Sequence, residues 1–95
     1  MPQRTAVTPE TVTAWTARLT TEAEGLDFND PEDRAVFRTR VANATETMYC
    51  WALVGLARHF GREPMGRSRT AAARALADAW IDHMTGRHTC KAAAC

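Results

Sequence analysis

The chain has 95 residues, 45% of them hydrophobic and 24% charged, with a formal net charge of +1. That balance supports one modest core and excludes a disordered chain. No apolar run approaches the roughly 18 residues that a membrane span requires.

The opening segment MPQRTAVTPE carries no apolar stretch of the kind that forms a secretory signal, so the expected location is the cytoplasm, away from membranes. Three cysteines, Cys50, Cys90 and Cys95, make an odd number. They fit reduced thiols better than a secreted disulfide framework. Eleven Arg stand against one Lys and thirteen Thr against one Ser, a bias that fits codon usage in a GC-rich bacterial genome. Charge is unevenly placed. Residues 1–33 hold two Arg and seven acids, whereas residues 58–74 hold five Arg and one acid, Glu63. Opposed ends of this kind serve internal pairing, head-to-tail association or anion binding.

Thr8-Pro9-Glu10 predicts the start of a first helix, with a capping hydroxyl, a proline at the first position and an acid facing the dipole. Val12, Trp15, Leu19, Ala23 and Leu26 follow at helical spacing, and Gly25 supplies a stop. Phe28, in the loop beyond, is expected to tuck beneath the next helix. Asp30-Pro31-Glu32-Asp33 is a stronger start signal.

No Gly or Pro follows until Gly55, and no firm stop before Gly61, so the pattern predicts one central helix over about residues 31–60. At 1.5 Å per residue it would be about 45 Å long. It carries two apolar stripes. Phe37, Val41, Ala44, Met48, Trp51 and Gly55 form one; Tyr49, Leu53, Leu56 and Phe60 form the other. A helix apolar on two sides is buried on two sides, which makes the second stripe the expected partner-binding surface.

Ser68 caps a third helix with Ala72, Ala73, Leu76, Trp80, Ile81 and Met84 inward, an Arg74–Asp78 pair on its outer face and Gly86 as its stop. No alternating strand pattern competes. The expected fold is therefore all-α: a three-helix domain over residues 1–86 with a short C-terminal tail, 87–95. Trp15, Trp51 and Trp80, one per helix, are expected to share the core.

Arginine is concentrated where the third helix begins. Arg62, Arg67, Ser68, Arg69, Thr70 and Arg74 surround a helix N-terminus, where exposed N–H groups and cations together suit a phosphate or carboxylate. The segment Gly66-Arg67-Ser68-Arg69-Thr70-Ala71-Ala72-Ala73-Arg74-Ala75-Leu76 resembles the turn and recognition helix of helix-turn-helix DNA-binding proteins, with Leu56-Ala57 and Phe60-Gly61 similar to the end of their supporting helix. That resemblance implies phosphate contacts from Arg67, Ser68 and Arg69 and base contacts from Thr70, Ala71 and Arg74. The turn here is longer by the residues Arg62 to Gly66.

His83, His88, Cys90 and Cys95 form an H-x4-H-x-C-x4-C pattern of zinc-ligating residue types, without the C-x2-C pair of structural zinc sites. They are weak metal candidates. Cys90 and Cys95 also suit a reversible disulfide or a processed cysteine-containing tail. Phosphate-cradling glycine loops, nucleophile elbows and metalloprotease motifs are absent, and Asp78 and Asp82 read as solvated charges. The expected protein is non-enzymatic and takes no cofactor. It acts by association, as a homo-oligomer (a dimer) with a further protein partner; nucleic-acid binding through residues 58–74 is the alternative.

Overall fold

The structure, a computed structural model, describes residues 7–86. These form four helices and no strand: α1 (Pro9–Glu22), α2 (Pro31–Ala44), α3 (Cys50–His59) and α4 (Arg69–Thr85). The tail lies outside the described residues.

The start signals operate as their chemistry dictates. Thr8 Oγ1 accepts from the Thr11 N–H, Asp30 Oδ1 from the Glu32 N–H at 2.9 Å and Ser68 Oγ from the Ala71 N–H at 3.0 Å. Each satisfies a donor that has no partner within its helix. At the far end of α4, Gly86 adopts a left-handed conformation, φ 73°, where a side chain would be strained.

The single helix expected over residues 31–60 is two helices, and the reason is local and tertiary at once. Asn43, Thr45 and Thr47 place weak helix formers within five residues. Thr45 leaves helical geometry (φ −101°, ψ 4°) while its hydroxyl donates back to the Val41 carbonyl at 2.8 Å. Side-chain bonds of that kind compete with the helical ladder. The freed Thr45 carbonyl then accepts from the Met48 N–H at 3.0 Å and from Arg69 Nη1, at the start of α4, at 3.1 Å. Thr45 is fully buried, so this junction is part of the interior.

The central element is α4. It packs against both α2 and α3, while α1 joins the rest mainly through α2. Ala72, Ala73, Ala75, Leu76, Ala77, Ala79, Trp80 and Ile81 of α4 are all buried. At 100° per residue these positions sweep about two thirds of the helix circumference. Five of the eight are alanines, which let neighbouring backbones approach closely. Leu19, Phe37, Val41, Leu53 and Leu56 complete the core. Phe28 does tuck beneath α2, its ring 4.9 Å from that of Phe37.

Polar contacts fix the directions of the helices. Arg38 of α2 meets Asp78 of α4 at 2.8 Å, and Thr45 meets Arg69, so α2 and α4 run antiparallel. Cys50 Sγ lies 3.8 Å from the Arg67 carbonyl, and the Phe60 and Trp80 rings are 5.7 Å apart, so α3 and α4 run in the same sense. Residues 60–68 are accordingly a strap that returns along α3. Arg40 ties down α1, donating to the Glu22 and Glu24 carbonyls at its C-terminal end.

Several finer expectations are corrected. Asp78 pairs with Arg38 rather than Arg74, and Asp82 pairs with Arg62 at 2.7 Å, so neither is a freely solvated charge. Trp51 is 40% exposed and outside the core, and Met84 is 58% exposed. Trp80 is buried with its Nε1–H unbonded among the described residues, a cost of about 1–3 kcal/mol that its ring packing must offset.

Candidate interaction site

The second apolar stripe divides where the chain turns from α2 into α3. Leu53 and Leu56 are fully buried by the protein's own helices, and Phe60 lies edge-on against Trp80. They belong to the core of the single chain. Tyr49 stands apart. It is 73% exposed and stacks on Trp51, with ring centroids 6.1 Å apart and planes 13° from parallel. Tyr49 is the N-cap residue of α3 but makes no side-chain cap bond, so its phenol is not spent on the backbone.

The arginines separate in the same way. Arg62 is bound to Asp82, whose hydrogen bond is the main cause of the raised Arg62 pKa. Arg58 is paired with Glu63, and its hydrogen bond holds the Glu63 carboxyl below the usual carboxylate range. Both partners of that pair are exposed, so it contributes little to stability. Arg69 sits at the first position of α4, where a cation opposes the helix dipole. It reaches back to the carbonyl end of α2, where a cation is favoured. The negative group that the position called for is the α2 terminus. Ser68 is occupied as a helix cap.

Arg67, Thr70 and Arg74 remain exposed, and neither of these arginines forms an ion pair among the described residues. Cys50, whose sulfur lies against the Arg67 carbonyl, falls between Tyr49 and Trp51 in the chain. The stacked aromatic pair and the Arg67 backbone therefore share one corner, made by the end of α2, the start of α3 and the start of α4. In the sequence, Tyr49 and Arg67 fall in separate candidate surfaces and Trp51 on a core stripe. The signal for joining them, the α2–α3 turn, is carried by threonines rather than by glycine or proline.

Replacing Ser68 by alanine is expected to lower unfolding free energy by about 1 kcal/mol, and Ser68→Gly by only a few tenths. Urea denaturation of the two variants checks that Ser68 acts as a cap.

Of the metal candidates, His83 is exposed and rests 5.4 Å from the Trp80 ring. His88, Cys90 and Cys95 lie outside the described residues. Among the described residues, no three His, Cys, Asp or Glu side chains converge as a metal site. No helix there is long and apolar enough to cross a membrane.

Fold and site together define an all-helical protein with a central alanine-rich helix and an exposed aromatic corner. No protein-family model matches the chain, and neither a curated protein nor a solved structure does.

Proposed function

We propose that the protein acts without catalysis, by docking to another protein chain through the corner formed by Tyr49, Trp51 and Arg67. The observation that carries this reading is the stacked, exposed Tyr49–Trp51 pair. Two large aromatic rings held against each other in water bring apolar area whose side-chain order is already partly set. Tyr, Trp and Arg are also the residue types that dominate interface energies. Exchanging Tyr49 for a photo-crosslinking phenylalanine analogue is expected to give discrete covalent adducts in cells. The same analogue at Thr13, exposed on α1, should give none. Identical adducts from both positions, or none from position 49, would overturn the reading.

One observation favours nucleic acid as a second reading. Arg67, Thr70 and Arg74 are exposed at spacings of three and four along the opening of α4. A helix-turn-helix joins its helices by a three- or four-residue turn, whereas here the nine residues 60–68 intervene and α3 and α4 run in the same sense. With Arg62 and Arg69 engaged internally, phosphate neutralisation falls mainly to two arginines. Duplex binding through them should show a shallow salt slope of about 2 on a log–log plot. Binding with that slope, lost in Arg67→Ala/Arg74→Ala, would put nucleic acid ahead.

A further inference from the structure

We infer that the partner of this corner is a second copy of the chain, which presents the acidic end of its α2 head-to-tail to the basic, aromatic end of the first. The inference rests on the docking reading above and adds the identity of the occupant.

Internal pairing leaves the molecule polar. Among the described residues, four ion pairs, Arg18–Glu22, Arg38–Asp78, Arg58–Glu63 and Arg62–Asp82, take up eight charges. Most charges outside those pairs, among the described residues, fall into two groups, with Glu10, Glu24 and Arg40 outside both. At the N-terminal end of α2, Asp27, Asp30, Glu32 and Asp33 gather, with Asp27 held there by its N–H bond to the Asp33 carboxylate at 2.8 Å. Arg34 stands beside them and donates to the Phe28 carbonyl. At the other end of α2, Arg67 and Arg74 are exposed where α4 opens, beside Arg69 on the α2 terminus and with Glu46 as the acid in the turn.

The 14 residues of α2 put the two ends about 21 Å apart. The Debye length in physiological salt is about 8 Å, so the two poles of one molecule do not neutralise each other. A second copy brings opposite poles into contact at short range. Tyr49 and Trp51, at the basic pole, supply the apolar area that steering charges alone lack. The two surfaces are different patches, so the contact is heterologous and either closes into a ring or continues as a chain of molecules.

The test is sedimentation velocity of the full chain over a concentration series, at low and at physiological salt, with three variants. Arg67→Glu/Arg74→Glu reverses the basic pole while keeping Arg69 on the α2 terminus. Asp30→Ser/Glu32→Lys removes most of the negative charge of the acidic pole while keeping a capping oxygen at position 30. Tyr49→Ala/Trp51→Ala removes the aromatic area. Wild type is expected to gain mass with concentration, less so in salt, and each charge variant alone to associate about tenfold more weakly or worse. An equimolar mixture of the two charge variants should regain association, which misfolded variants could not do. A wild type that stays monomeric throughout overturns the second copy as occupant. Charge variants that associate like wild type, while the aromatic variant does not, overturn the head-to-tail arrangement and leave the docking corner standing. Loss in the charge variants with an unaffected aromatic variant overturns the docking corner itself.

Discussion

Leu56→Ala is expected to lower the free energy of unfolding by about 2–5 kcal/mol, the range for truncating a well-packed leucine. Leu56 is fully buried between the chain's own helices, so the loss combines transfer free energy with a cavity that α4 cannot readily fill. A small domain has roughly 5–15 kcal/mol in total, so this one change removes a large share. The measurement is urea denaturation at two protein concentrations tenfold apart, and the shift in midpoint should be the same at both. A residue covered only by a partner would behave differently: its truncation would leave the dilute protein unchanged and weaken association. Tyr49→Ala provides that contrast and should change the dilute protein by less than about 0.5 kcal/mol.

For Arg69→Ala the sign carries the information. If Arg69 were a free cation at the start of α4, its removal would relieve an unfavourable dipole interaction and stabilise the protein by about 0.3–1 kcal/mol. In the structure its guanidinium donates to the carbonyl of the buried Thr45, a charge-assisted hydrogen bond worth about 1.5–3 kcal/mol. The second term is larger, so the variant should be destabilised by about 1–2 kcal/mol. A stabilised Arg69→Ala protein in the same denaturation experiment would show that the link between α4 and α2 is not made in solution.

The two cases show how far a sequence reaches. Thr8, Asp30 and Ser68 announce helix starts through chemistry confined to a few neighbouring residues, and all three cap as their types require. Gly86 ends α4 for an equally local reason. The break at Thr45 is different in kind. Threonines weaken the helix there, but the carbonyl that opens is taken by an arginine 24 positions away, beyond the roughly 11–18 residues over which helical periodicity is read. The same distance effect misplaces the stripe Tyr49, Leu53, Leu56 and Phe60. Periodicity marks which side of a helix is apolar and not what covers it. The turn after Thr45 folds α3 onto α4, so the chain covers most of that stripe itself.

Arginine is the other residue type whose role local reading misjudges. Counted as charge, the arginines of this chain look destined for acids or phosphates. Arg34, Arg40 and Arg69 instead donate to main-chain carbonyls of residues at or beyond helix ends. A guanidinium suits this use because its donors fan out in a plane and it keeps its charge at every relevant pH. Once Arg69 and the ion-paired Arg58 and Arg62 are set aside, Arg67 and Arg74 are what is left of the basic segment.

The position of α4 has a consequence for how the chain matures. The helix on which α2 and α3 both pack is the last of the four to be synthesised. While a ribosome is still making residues 61–85, Leu53 and Leu56 have no surface to pack against. At about 5–20 residues per second that interval lasts on the order of a few seconds. α2 and α3 meet mainly through α4, so the core cannot form before the alanine-rich segment has been made. Substitutions in α4 should therefore lower the yield of folded protein during synthesis more than equally destabilising substitutions in α1.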